Sequence, residues 1–255
     1  MRRMSVWLFF TVFLLSNSLA VADDIQVVSS GGFAAAYRAL APSFEQQTGH
    51  KLISAWGPSM GKTPQAIPNR LERGEAIDVV IMVGDALDKM AAKGQVADGT
   101  VLARSRIGLA VKAGAAKPDI STVAALKQAL LSAQSIAYSD SASGLFLSTV
   151  LFPRLGIDAQ IKDKCRMIPA EPVGQVVARG EAELGFQQLS ELLPISGIDI
   201  VGLLPEDAQQ VTTFSAGVVA TSKVKAAAKE LIEYLSSSAA APAIRKAGLD
   251  PVTTH

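Results

Sequence analysis

Three short stretches of the chain carry the residue types that hold anions. Each is a strand-like run, then a turn rich in Ser and Gly, then a helix-like run. The first is Ser29-Ser30-Gly31-Gly32, ahead of a helix beginning near Phe33. The second is Gly57-Pro58-Ser59-Met60-Gly61-Lys62-Thr63, and the third Tyr138-Ser139-Asp140-Ser141-Ala142-Ser143-Gly144. A helix N-terminus offers N–H groups with no intrahelical acceptor and the positive end of the helix dipole. Glycine lets a ligand come close to the backbone. Any one such turn serves equally well as an ordinary helix cap; three of them point to a shared anion pocket. Ser29, Ser30, Gly31, Ser59, Met60 and Ser141 are therefore candidate contacts. Lys62, Arg70 and Arg106 are candidate charge partners, with a solvated surface role as the alternative for each.

Other chemistry has little to work with. Neither G-x-G-x-x-G nor G-x-x-x-x-G-K-[ST] occurs, so no nucleotide fingerprint is read. Two isolated histidines, His50 and His255, and one cysteine, Cys165, cannot make a typical zinc site. No cofactor and no metal are expected. Cys165 has no partner for a disulfide within the chain, and it lies in the polar run Lys162-Asp163-Lys164-Cys165-Arg166, with no base beside it to make it a nucleophile.

The elements that must position these turns alternate in type. Strand-like runs are Ile25–Ser29, Lys51–Trp56, Asp78–Val83, Arg106–Val111, Ser135–Tyr138, Met167–Ile168, Leu184–Gln187, Ile198–Leu203 and Val211–Val219. Helix-like spacing falls at Phe33–Thr48, Thr63–Arg73, Ala86–Lys93, Ser121–Ser132, Gly144–Leu155, Val173–Arg179, Lys225–Ser236 and Ala239–Ala247. Ser121 is the expected cap of its helix. This alternation predicts an α/β fold of parallel sheets with helices on both faces. Arg106–Val111 and Val211–Val219 are candidates for strands that cross between two lobes. Residues 23–105 with 212–255 would then form lobe one, and residues 106–211 lobe two.

The first 22 residues stand apart. Arg2 and Arg3 precede an apolar run, Val6–Leu15, and Ala20-Val21-Ala22 offers a small-x-small cleavage site, the layout of a secretory signal peptide. The run is too short for a membrane span of roughly 20 residues. Export to the periplasm is the expectation. Lys and Arg total 24 and Asp and Glu 23; without Arg2 and Arg3 the balance is 22 against 23, a net charge near −1. Such a chain has no global field to hold nucleic acid, so an anion site must be local. A monomer is expected.

At this point the residues resemble a known family. IQVVSSGGF, FEQQTGHKL, GPSMG, RLERGEAIDVVIMV, YSDSASG and GEAELGFQQLSELL fall in an order similar to the periplasmic molybdate-binding proteins of ABC importers. The resemblance covers nearly the whole chain after residue 22. It implies a class II periplasmic binding-protein fold, two α/β lobes with the ligand between them. By the same resemblance, Ser59, Ser143, a backbone contact near Val173, and Gln187 with Gln188 after the late strand would meet the ligand. The pattern departs from molybdate binders at Gly32, where they carry a serine, and at Gln188, where they carry a tyrosine. Lys62 and Arg70 are added nearby. Amide and cationic groups set apart from one another suit a polycarboxylate better than a tetrahedral oxyanion. The SSGGF, GPSMG and GFQQ set also looks like a divergent branch of the family that includes aconitate isomerase.

Two functions follow. The first is a binding protein that captures a di- or tricarboxylate and hands it to an inner-membrane ABC permease. The second is an isomerase that interconverts cis- and trans-aconitate by an allylic proton shift. That reaction needs one group to carry the proton, for which Tyr138, Asp140, Lys62 and Glu171 are the candidates.

Overall fold

The structure, a computed structural model, describes residues 22–97, 99–169 and 171–253. The expected signal peptide lies outside them except for Ala22, as does His255.

The chain opens with β1 (Asp24–Ser29), α1 (Gly31–Thr48), β2 (Lys51–Trp56), α2 (Ile67–Glu72), β3 (Val79–Val83), α3 (Gly84–Ala92) and the 13-residue β4 (Thr100–Lys112). Then come α4 (Val123–Ser132), β5 (Ile136–Ser139), α5 (Ala142–Phe146), a π-helical turn (Leu147–Leu151), α6 (Phe152–Leu155), α7 (Asp158–Ile161) and β6 (Cys165–Ile168). It continues through α8 (Val173–Ala178), β7 (Leu184–Gln188), α9 (Leu189–Leu192), β8 (Ile198–Leu203) and β9 (Val211–Val218). It ends in α10 (Lys225–Ser236), α11 (Ala241–Lys246) and β10 (Asp250–Pro251).

The strands follow one path, β2-β1-β3-β9-β4-β7-β5-β6, with β8 and β10 both on β4. β1, β2 and β3 are parallel, as are β5, β6 and β7. Both groups match the expected βαβ alternation. The joining strands do not: β9 runs antiparallel to β3 and β4, and β4 antiparallel to β7 and β8. β4 pairs with β9 along Thr100–Arg106 and with β7 and β8 along Ile107–Lys112. One strand thus belongs to both halves of the sheet.

Burial explains why the strands read so clearly. In β3, Val79, Ile81 and Val83 face one apolar cluster while Val80 and Met82 face another. Both faces are covered, so the strand is a continuous β-branched and aliphatic run rather than an alternating one. The largest cluster joins residues 25–103 to 214–249, and the second is built from 107–208. Each fully buried Leu, Ile or Phe contributes about 1.5–3 kcal/mol.

Helix boundaries shift where local chemistry competes. Thr122, not Ser121, caps α4: its Oγ1 accepts the Ala125 N–H at 3.1 Å. Ser121 is instead bound through its N–H to Asp119 Oδ1. Thr122→Ala should lower stability by about 1 kcal/mol, read as an earlier urea midpoint at an unchanged slope. The expected single helix Gly144–Leu155 is broken by the π turn, where Ser148 and Thr149 hydroxyls bond back to the Gly144 and Leu145 carbonyls at 2.8 and 2.7 Å. Pro64 and Pro68 delay α2 to Ile67. The four-residue helices α7 and α9 carry too little periodicity to be read in the sequence.

Candidate functional site

The strands of both parallel groups deliver their C-terminal ends to one cleft of about 800 Å³. After β1, Ser30 turns the chain into the 18-residue helix α1, whose first N–H groups have no acceptor within the helix. Small residues suit this turn: a Cβ at Gly32 would strike the buried Phe214 ring, and one at Gly31 would displace the Glu191 carboxyl, whose Oε1 lies against it. After β2, the loop Gly57–Ala66 folds back so tightly that a Cβ at Gly57 would strike the Gln65 carbonyl. Arg70 holds this shape, with Nε donating to Gln65 O at 3.1 Å and Nη2 to Trp56 O at 3.2 Å. After β5, Ser139 and Ser143 hydroxyls meet at 3.1 Å across the turn into α5. After β7, Gln187 and Gln188 are both buried and point the chain into α9.

Four buried side-chain polar atoms have no hydrogen-bond partner among the described residues: Ser30 Oγ, Thr63 Oγ1, Ser105 Oγ and Gln188 Oε1. All but Ser105 belong to residues that line the cleft. Folded proteins leave few such atoms orphaned, and the exceptions call for a partner. The Gln188 amide is adaptable, because its Nε2 donates to the Thr212 hydroxyl at 2.9 Å and a hydroxyl can serve either end of the amide.

The cleft's own charges are muted. Arg38 lines it, its guanidinium 4.1 Å over the Trp56 ring, an arrangement that holds the cation in place. Glu171 lines it but is tied to Arg179, whose Nη1 and Nη2 both lie 3.1 Å from Glu171 Oε2. Burial holds the Asp140 carboxyl above the usual carboxylate range. Glu191 keeps part of its surface open to the cleft, but the protein around it pushes its carboxyl up to about 7, a rise opposed by a hydrogen bond from Gln187 and helped by the charge of Asp140. Gln187 is fixed for that contact, since its Oε1 accepts the Val173 N–H at 2.9 Å and leaves the Nε2 end to donate.

Of the residues singled out from sequence, Ser30, Gly31, Ser59, Asp140, Ser141, Ser143, Glu171, Gln187 and Gln188 line the cleft together. The others lie off its lining. Ser29 is buried beneath, donating to its neighbour's carbonyl. Met60 packs on the large cluster, and Lys62 is exposed on the rim loop. Arg70 shapes that loop, and Arg106 sits on β4 with its Nε 3.6 Å from Asp250 Oδ2 in a solvated pair. Val173 is fully buried with its N–H taken by Gln187. Tyr138 packs edge-on against Phe152 in the second cluster, and burial raises its hydroxyl pKa.

Sequence reading missed Glu191, Arg38, Trp56 and Phe214. Arg38 could have been found: it lies seven residues past Gly31, two turns along α1. Sequence reading also excluded a hydrolase nucleophile elbow, although the loop Gly57-Pro58-Ser59-Met60-Gly61 has that G-x-S-x-G spacing. The structure gives it another role. Ser59 is fully buried, its Oγ accepts the Val83 N–H at 2.9 Å, and no histidine among the described residues lines the cleft. His50 is itself occupied, Nδ1 accepting the Asp23 N–H at 2.9 Å. Burial raises the Cys165 thiol to about 11, so it stays protonated and unreactive.

The family model for bacterial extracellular solute-binding proteins matches residues 25–250. The chain belongs to this family. The chain is 57% identical over 244 residues to aconitate isomerase of a Pseudomonas species, covering 94% of this chain and 93% of the relative. It is 29% identical to the molybdate-binding protein ModA of Azotobacter vinelandii over 90% of each chain. Among solved structures it matches the Azotobacter vinelandii periplasmic molybdate-binding protein (TM-score 0.67, 21% identity, 88% of this chain and 98% of that one). It also matches the substrate-binding domain of a molybdenum ABC transporter protein from Clostridium difficile (TM-score 0.67, 17% identity, 92% and 100%). The fold of this solute-binding protein is therefore the mixed α/β fold of periplasmic binding proteins, as the sequence resemblance implied.

Proposed function

We propose that this protein is an isomerase of propene tricarboxylates that interconverts cis- and trans-aconitate within the cleft. The observation that carries the reading is the group of orphaned polar atoms, Ser30 Oγ, Thr63 Oγ1 and Gln188 Oε1, on three separate segments around one cavity. A ligand with several separated carboxylates meets such a spread; a compact oxyanion needs a single ring of donors. The relative 57% identical to this chain, an aconitate isomerase, supports the same class.

The two clusters act in this reading as two lobes, 23–105 with 212–255 and 106–211, that close on the ligand by a hinge motion. The N-terminus of α1, Arg38, and the Ser141 and Ser143 turn hold carboxylates with neutral donors and one cation. The bound substrate loses a proton from its methylene carbon. The electron pair spreads over the allyl unit and the adjoining carboxylates, where preorganised donors stabilise it. A proton then returns at the far carbon, and the double bond has moved. Water excluded from the cleft strengthens each of these contacts. Export to the periplasm by the N-terminal segment belongs to the same reading.

Membership of the solute-binding family favours a second reading, in which the same cleft captures a polycarboxylate for an inner-membrane permease. Proton NMR of trans-aconitate with the purified mature protein in deuterated buffer separates the two. Appearance of the cis isomer is the expected result, with deuterium entering the carbon skeleton only to the extent that the shuttled proton exchanges with solvent. Line broadening without conversion would replace the isomerase by the capture protein, and neither effect would return the ligand question to oxyanions.

A further inference from the structure

We infer that Glu191 is the catalytic group that takes the proton from one end of the allyl unit and returns it at the other. The inference rests on the isomerase reading above and adds the identity of its acid–base residue. Glu191 stands on α9 with its Oε1 against Gly31, in the first turn of α1. That is where a carboxylate held by the α1 N-terminus and the orphaned Ser30 hydroxyl would bring its neighbouring carbon. The placement is rigid. Ser190, the preceding residue, donates its hydroxyl to the Gly32 carbonyl at 2.7 Å, which pins α9 to α1. Gln187, itself fixed by the Val173 N–H, hydrogen-bonds the carboxyl.

The other candidates are committed elsewhere. Glu171 is tied to Arg179, whose guanidinium occupies its carboxylate oxygens. Tyr138 is packed in the second cluster, and Lys62 is exposed off the lining. Asp140 faces the cleft, and its charge is one of the two causes that keep Glu191 basic. A carboxyl raised to about 7 is a stronger base than an ordinary one, and it is still ionised in a large fraction of molecules at neutral pH.

The step balances with one group. The methylene C–H bond breaks, its pair enters the allyl system, and Glu191 gains the proton. The Glu191 O–H bond then breaks, the pair of the former double bond forms a new C–H bond at the far carbon, and the carboxylate is restored. Nothing is oxidised or reduced, and no second reactant is consumed.

The test compares wild type, Glu191→Gln and Glu191→Asp by aconitate isomerisation in deuterated buffer. Trans-aconitate binding is followed in parallel by calorimetry, and folding by circular dichroism. Glu191→Gln should fold, bind within about tenfold of wild type, and lose roughly a thousand-fold in kcat. Glu191→Asp, which keeps the carboxyl but withdraws it by one methylene, should regain part of the rate. Isomerisation by Glu191→Gln within tenfold of wild type would overturn this assignment and leave the isomerase standing. A wild type that binds but does not convert would overturn both. If Glu191→Gln fails to fold, the Asp variant decides: a rate equal to wild type, or no higher than background, overturns the assignment.

Discussion

Gly144→Ala should destabilise the protein by roughly 3–4 kcal/mol and abolish the aconitate binding that the proposed function requires. A Cβ at Gly144 would strike the carbonyl oxygen of Ser139, and it would lie 2.7 Å from that residue's carbonyl carbon and 3.0 Å from its nitrogen. These are backbone atoms at the end of β5, so no flexible side chain can swing away. Either α5 must lift or the turn Ser139–Ser143 must open, and that turn carries Asp140, Ser141 and Ser143 into the cleft. For a chain of this size the loss corresponds to a drop of about 10 °C in Tm. Gly49→Ala is the control. Gly49 has φ +79° and open space around the added atom, so it should show only the cost of a left-handed residue, about 1–2 kcal/mol. A Gly144 variant within 1 kcal/mol of wild type would mean that the turn is not fixed by this contact.

The second large effect is on pH. In the proposed isomerisation Glu191 must be ionised to accept a proton, so kcat/KM should fall tenfold per unit below about pH 7 and level off above it. The residual rate of Glu191→Gln should lack that limb, which separates this carboxyl from titration of the substrate. Stability should move in the opposite direction. The folded pKa of about 7 lies above the ordinary 4.5, so the folded state holds its proton longer than the unfolded chain does. The penalty for the buried charge is absent below about 4.5, grows as pH rises to about 7, and is constant beyond. Glu191→Gln removes it, and at pH 8 should be more stable than wild type by up to roughly 3 kcal/mol, a difference that vanishes toward pH 4.5. The charged groups that share the cleft with Glu191 are Asp140, whose charge adds to the shift, Arg38 on α1, and Glu171, which Arg179 compensates. Loss of rate with a gain in stability, in one substitution, distinguishes a working carboxyl from a structural one.

Much of the fold was legible because burial wrote it into composition. β3, covered on both faces, is the unbroken run Val79–Val83, and the Ser and Gly turns after β1, β2 and β5 announced the walls of the cleft. Direction was not legible. Nothing in Val211–Val218 says that it enters between β3 and β4 in the antiparallel sense, because a doubly buried strand has the same composition either way. Glu191 was hidden for a different reason. It sits in a four-residue helix too short to show a face, and a glutamate after two glutamines, a leucine and a serine reads as an ordinary solvated residue. Only contact with Gly31, 160 positions earlier, sets it apart. Arg70 and Arg106 misled because charge identity shows in sequence and partner does not: one buttresses a loop, the other pairs with Asp250 in solvent.

The pairing of β9 with β3 also bears on how the chain is made. Val79 meets Val218, so the hydrophobic edge of β3 waits for a strand that leaves the ribosome 139 residues later. Until then Val79–Val83 offers an unpaired, uncharged strand edge, the kind that recruits other chains. The first half of β4 waits for the same strand. Folding is therefore bound to completion of the polypeptide, slow for its size by the long span of its contacts. The nascent protein must be kept apart from its neighbours until its last quarter has emerged.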